Sequence, residues 1–270
     1  MNKLQLPFIK LKRAFDFYFY KKKYNWVFPE KISHYAGGLI AKGEYEPEVT
    51  FLIKDKLKRG DTFIDIGANV GYFSRLASKI VGKEGRVYSF EAEPNNFHAL
   101  CLNTETQDNV VTLNFAVSNK TDIVNMNRSD RASSHSLLKT SQDLDGSTFQ
   151  IPTITISDFI SDYHDATDVQ FVKIDVEGAE LYVLSGLRDL IKEQKIRTIL
   201  IEYHKIILGS EPNIDLELFG LLFKNYNVFL VEKNGANLIP LKSFDELNRY
   251  MISQEVYPDE NLNILFESKL

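Results

Sequence analysis

The chain has 270 residues, 44% hydrophobic and 26% charged, a length and composition that allow one large α/β domain with an appendage and exclude a disordered or fibrous chain. Formal net charge is −5, but residues 1–31 carry eight Lys/Arg against two acids, a surplus of +6 that leaves −11 for the rest. An acidic body excludes extended nucleic-acid binding, which needs a basic stripe on the fold itself.

A single cysteine, Cys101, rules out a disulfide framework within the chain and fits a reducing, cytoplasmic setting. It is expected to be a small apolar filler. No run approaches the ~18 apolar residues of a membrane span. Charges interrupt every apolar stretch near the N-terminus, so no signal-peptide pattern is present.

Residues 1–31 mix those basic residues with Phe8, Phe15, Phe17, Tyr18, Phe19, Tyr20, Tyr24 and Trp26. Two readings stand. The segment is an interfacial helix that gives peripheral membrane contact, or a helix packed on the domain with its lysines solvated. The aromatics are too closely spaced for a clean amphipathic stripe, which favours packing. Gly37-Gly38 and Gly43 punctuate a loop. Pro47 then opens a helix to about Lys58, and Tyr45 and Glu46 before it are candidate lid residues over a ligand pocket.

Thr62–Gly71 organises the rest. Phe63, Ile64 and Ile66 read as a buried strand, Gly67 and Gly71 as a turn, and Tyr72, Phe73, Leu76, Ala77, Ile80 and Val81 as a helix. A strand, a glycine turn and a helix N-terminus present backbone N–H groups to a ligand. The pattern Asp-x-Gly-x-x-x-Gly is neither a Walker loop nor the dinucleotide fingerprint. Asp65 at the strand end would repel a diphosphate but suits an ammonium group. A nucleoside with an amino-acid end and no phosphate fits, and S-adenosylmethionine is that ligand. The next strand, Arg86–Glu91, ends in a carboxylate twenty residues past Gly71, where a second-strand acid holds ribose hydroxyls. Pro94 opens the following helix.

A third strand is predicted over Val110–Val117, with Ala116 beside an adenine ring. Residues 119–150 are polar and form either a substrate loop or an exposed hairpin. Gln170–Asp175 is a fourth strand whose end carries Asp175, Glu177 and Glu180. At a strand-to-helix junction facing a ligand crevice, Asp175 and Glu177 are candidate functional acids, while Glu180 is explained by the macrodipole of the next helix. Arg197–His204 is a fifth strand, with Glu202 and His204 at its end. His204 is a general base or, equally, a capping or surface residue. A helix over Asn213–Asn225 and strands over Asn227–Glu232 and Leu262–Phe266 follow, with a turn at Asn234-Gly235. The alternation predicts an α/β fold with a seven-stranded, mostly parallel sheet, one antiparallel edge strand and an N-terminal helical extension. The expected division is an extension over 1–44 and a catalytic domain over 45–270. No metal-ligand spacing is present.

The blocks Ile64–Gly71, Phe90–Pro94, Lys173–Glu180 and Ile201–His204 resemble the FkbM-type S-adenosylmethionine-dependent methyltransferases. The resemblance runs from about Tyr45 to His204. It implies a Rossmann-like class I methyltransferase fold acting on oxygen, often of sugars, glycans or polyketides. It also implies that Asp65, Gly67, Asn69, Gly71 and Glu91 bind cofactor, and that Asp175, Glu177 and His204 line the acceptor site. The expected partners are a hydroxyl-bearing acceptor such as a sugar or glycan and no nucleic acid. A lipid-linked acceptor, a homo-oligomer and a non-catalytic partner protein remain alternatives.

Overall fold

A computed structural model describes residues 5–30, 32–129, 144–163, 168–176, 178–204, 215–232, 237–252 and 261–270. Three helices come first, α1 (Gln5–Lys23), α2 (His34–Lys42) and α3 (Pro47–Lys56). The α/β alternation follows: β1 (Thr62–Ile66), α4 (Tyr72–Val81), β2 (Arg86–Phe90), α5 (Pro94–Thr104) and β3 (Val110–Leu113). Then come β4 (Ala116–Val117), β5 (Asp122–Ser129), β6 (Leu144–Ile154) and α6 (Ile156–Tyr163). The second half contributes β7 (Val169–Ile174), α7 (Glu180–Gly186), α8 (Arg188–Lys192) and β8 (Ile196–Tyr203). The chain closes with α9 (Leu216–Asn225), β9 (Tyr226–Val231), β10 (Leu238–Leu241), α10 (Phe244–Ile252) and β11 (Leu262–Ser268).

The main sheet runs β10-β9-β11-β8-β7-β1-β2-β3. β3, β2, β1, β7 and β8 are mutually parallel, as the alternation predicts, while β11 is antiparallel to both β8 and β9. Two details differ from expectation. Among the described residues the sheet has eight strands, not seven, because β10 adds a short antiparallel partner to β9. Its Pro240 lacks an N–H, which suits an edge strand. The reversed strand β11 lies inside the sheet, since Leu262, Ile264, Leu265 and Phe266 are buried on both its faces.

Alternate residues of β1 and β7 feed two cores. Ile64, Ile66, Val172 and Ile174 pack with Phe159, Val183 and Leu187 on one face. Phe63 and Phe171 pack with Leu52, Phe73 and Ala77 on the other. Phe17, Trp26 and Phe28 join that second core, so the N-terminal extension is part of the packed body. Gly37 and Gly38 belong to α2, not to a loop. A Cβ on Gly37 would lie 2.5 Å from the Phe17 ring, so glycine there makes room for α1 to dock.

The predicted third strand is broken at Asn114. β3 stays in the main sheet, whereas β4 pairs with β6 in a second sheet of order β4-β6-β5. The Asn114 side chain donates to the carbonyls of Glu91 and Ala92, which ties the break to the end of β2. The polar 119–150 stretch therefore supplies the strands β5 and β6, while its Arg131–Ser136 segment and the Asn234-Gly235 turn lie outside the described residues.

Candidate active site

The carboxyl ends of β1, β2, β7 and β8 open into one cavity of about 240 Å³. It lies where the sheet order reverses direction between β1 and β7, the switch point at which doubly wound sheets take ligands. Gly67 and Asn69 enter it from the β1 turn, Glu91 from β2, Ala116 from β4, Asp175 from β7, Glu202 and His204 from β8, and Tyr45 and Glu46 from the start of α3.

Backbone geometry shapes the β1 turn. Gly67 has φ 79°, and its N–H and that of Ala68 both donate to the Phe90 carbonyl. Asn69 has φ 50° and donates its N–H to Glu91 Oε2 at 2.8 Å. The other oxygen, Oε1, accepts from the Glu93 N–H at 2.9 Å. The Glu91 carboxylate is thus held at the β2 end by two backbone donors, with further lone pairs on each oxygen. Burial pushes this carboxyl up to about 7, against the pull of the two N–H groups.

Two of the expected cofactor residues do not line the cavity. Asp65 is fully buried behind the wall, accepting from Ser74 Oγ at 2.6 Å, with Ser89 Oγ donating to Ser74 in turn. The β1 pleat directs Asp65 toward α4 and away from the crevice, so a direct contact with a ligand ammonium is not built here. Gly71 is at the start of α4, where a Cβ would lie 2.7 Å from Leu100. Its glycine serves helix packing. Glu177 lies outside the described residues.

The β7–β8 side of the cavity is denser in charge than the sequence suggests. Lys173, on the central strand β7, is buried and donates to Asp175 Oδ2 at 2.9 Å. Burial opposes its charge, but Asp175, Asp65 and Glu46 more than offset it and raise its pKa. Burial likewise pushes against the Asp175 charge, and Lys173 and His204 hold its pKa below the ordinary value. Glu46 goes the other way: burial, then Glu202, push it up to about 8 despite Lys173. Its Oε2 is buried with no hydrogen-bond partner. Glu202 is raised by burial and Asp175 while accepting from Asn261 at 2.9 Å.

His204 completes the group. Its Nδ1 lies 2.6 Å from Glu180 Oε1, both side chains being buried. The same oxygen accepts from the Gly178 N–H at 2.8 Å. In the neutral imidazole with Nδ1 donating to this oxygen, Nε2 is the acceptor nitrogen. Nε2 is 3.9 Å from Asp175 Oδ1 and 4.0 Å from Glu202 Oε1, both in the cavity wall. Sequence reasoning missed Glu180 and Lys173 as site residues. Glu180 resembles any acid in a first helical turn. Lys173, a charge in a strand buried on both faces, was a readable anomaly.

S-Adenosylmethionine fits these residues. A wall holding Glu46, Glu91, Asp175 and Glu202, with a buried Glu46 oxygen lacking any partner, suits a ligand bearing sulfonium and ammonium charges. Phe90, Phe115, Ala116 and Met126 offer apolar cover for a purine ring. Among the described residues no cluster of three or more His, Cys, Asp or Glu is arranged to hold a metal ion.

The sheet order and its switch-point cavity define a Rossmann-like α/β protein of the class I methyltransferase type. The family model described as "Methyltransferase FkbM domain" matches residues 65–256, and the chain belongs to that family of S-adenosylmethionine-dependent methyltransferases. Comparison with curated proteins found no match. Similar solved structures include an FkbM methyltransferase from Methylobacillus flagellatus KT, at 15% identity and TM-score 0.44 over 92% of this chain and 57% of that one. A putative rRNA-methylase from Clostridium thermocellum aligns at 13% identity and TM-score 0.44, over 82% and 94% of the two chains. Fibrillarin from Aeropyrum pernix, in complex with natively bound S-adenosyl-L-methionine, aligns at 14% and 0.43, over 81% and 73%.

Proposed function

We propose that this methyltransferase is an O-methyltransferase whose general base is His204, acting on a hydroxyl of a sugar or glycan-like acceptor. The supporting observation is the buried Glu180–His204 pair, which fixes the imidazole with Nε2 toward the cavity. A hydroxyl is a weak nucleophile that must lose its proton as it attacks, so it needs a placed base. An amine acceptor, already nucleophilic when neutral, needs one less.

S-Adenosylmethionine, when bound, supplies a methyl group on a sulfonium that leaves as a neutral thioether. Glu91 and the Asn69 turn would hold the ribose end, and Ala116 and Phe115 would flank the base. His204 Nε2 takes the acceptor proton, and the imidazolium so formed faces Glu180, Asp175 and Glu202. Asp175, fixed by Lys173, lines the acceptor side. Carboxylates pressed on the sulfur would favour the charged ground state and slow transfer, so their place is at the periphery.

The test is methyl transfer from labelled S-adenosylmethionine to paired hydroxyl and amine acceptors, with wild type and His204→Asn. Transfer to hydroxyls is expected, falling by roughly 10²–10⁴-fold in the variant. S-Adenosylhomocysteine binding, measured by calorimetry, should stay near wild-type strength. Transfer to amines alone would sink the hydroxyl reading, and an unchanged rate would remove His204 as the base.

A further inference from the structure

The helix α1 has two apolar faces, and the body covers only one. Its inner face carries Phe17, 5% exposed, against Phe28 and the α2 glycines. On the other side Leu11, Phe15, Tyr18 and Phe19 are 70%, 66%, 61% and 49% exposed. Their spacing of four, three and one residues gathers them into a single stripe. Phe15 and Phe19 stack on each other, with ring centroids 5.9 Å apart, instead of on the body. A contiguous exposed apolar stripe of this kind marks an interaction surface.

The charge around it selects the partner. The sole acid of α1, Asp16, is engaged by Lys42 at 2.7 Å. The exposed ionic groups beside the stripe are Lys12, Lys22 and Lys23. Lys23 lies 5.0 Å over the exposed Tyr24 ring, and Arg13 lies 4.4 Å over Tyr35 of α2. A groove between α1 and α2 is lined by Lys12 and Arg13 together with the paired Asp16 and Lys42. A second copy docked face to face would set these cations against themselves. An anionic bilayer surface meets both features: acyl chains take the rings and headgroups take the lysines. The −11 carried by the rest of the chain would be repelled, which orients the molecule with α1 downward.

We infer that α1 is an interfacial helix that docks this protein peripherally on anionic membrane. No described helix is long and apolar enough to cross one. The docked end is joined to the cavity by packed rings: Phe17 to Phe28, Phe28 to Trp26, Trp26 to Tyr72 and Tyr72 to Tyr45, which lines the site.

Sedimentation of the full chain with phosphatidylcholine vesicles, with and without phosphatidylglycerol, tests this. Wild type should partition onto the phosphatidylglycerol vesicles and be released by salt. The double change Phe15→Ser/Phe19→Ser should weaken partitioning at least ~10-fold, and Lys22→Glu/Lys23→Glu should abolish the preference for anionic lipid. Unchanged S-adenosylhomocysteine binding would show that both variants are folded. Wild type failing to bind, binding both vesicle types equally, or binding no better than the serine variant would overturn the inference. So would a concentration-dependent dimer lost in that variant, which would assign the face to a second copy.

Discussion

Glu46 carries the sharpest electrostatic conflict in the cavity. Its carboxyl is buried, its Oε2 has no partner, and Glu202 and Asp175 repel its charge while Lys173 opposes the shift only in part. The residue also has a left-handed backbone, φ 39°, at the N-cap of α3, a conformation that stores about 1–3 kcal/mol in a non-glycine residue. A carboxyl raised from 4.5 to about 8 favours the protonated folded form. Its stabilising effect is fully present below about pH 4.5 and is lost as pH rises through about 8. At 1.36 kcal/mol per unit, the loss is on the order of 4–5 kcal/mol for the ligand-free protein. Glu46→Gln removes it, so the variant should gain thermal stability over wild type progressively from about pH 5 to pH 8, then level off. Melting curves across that range check this, and an offset independent of pH would refute the assignment. Bound S-adenosylmethionine should narrow the difference, because a cationic ligand stabilises the ionised carboxylate.

At the level of elements, the β1 turn is where backbone shape and chemistry meet. A Cβ on Gly67 would lie 1.7 Å from the Asp175 carbonyl, at φ 79°. Gly60, at φ 86°, has nothing within 4 Å of a built Cβ. Comparing the two separates backbone strain from collision. Gly60→Ala should cost about 1–2 kcal/mol. Gly67→Ala should cost more than ~4 kcal/mol, because β1 and β7 would have to part at their carboxyl ends. Urea unfolding of both variants measures the difference, and equal costs would show that the turn relaxes freely. The sequence made this turn legible because glycine, acid and helix periodicity all lie within ten residues. It also made Glu91 and His204 legible, since both end strands with clear apolar runs. Glu180 was hidden because its partner, His204, is 24 residues away and its own position has a sufficient local explanation. Asp65 was misplaced relative to the cavity because strand ends reveal register only when both neighbouring faces are known. The β5–β6 pair was hidden by polar residues that gave no alternation, as expected of strands in a small sheet outside the main core.

For the whole molecule, integrity depends on the last strand. β11 is inserted between β8 and β9 and hydrogen-bonds to both, so the C-terminal segment joins the first five strands of the alternation to the β9–β10 pair. It buries Leu262, Ile264, Leu265 and Phe266, the last two fully. At roughly 1.5–3 kcal/mol per side chain, these four represent about 6–12 kcal/mol. That is comparable with the roughly 5–15 kcal/mol total stability of a domain. Removal would also expose two unpaired strand edges in the middle of the sheet, a template for aggregation. A chain ending at Asn261 should therefore show no cooperative unfolding transition by circular dichroism and should not bind S-adenosylhomocysteine. Asn261 itself donates to Glu202 in the cavity wall, so in a folded remnant this tether would hang on a free chain end instead of on β11. Removing only the outer strand pairing, by Leu238→Asp on β10, should leave a cooperative transition at reduced temperature, since that strand is at the edge and half-exposed. A truncated chain that melts cooperatively near the wild-type temperature would show that the parallel half folds alone and that β11 is dispensable to it.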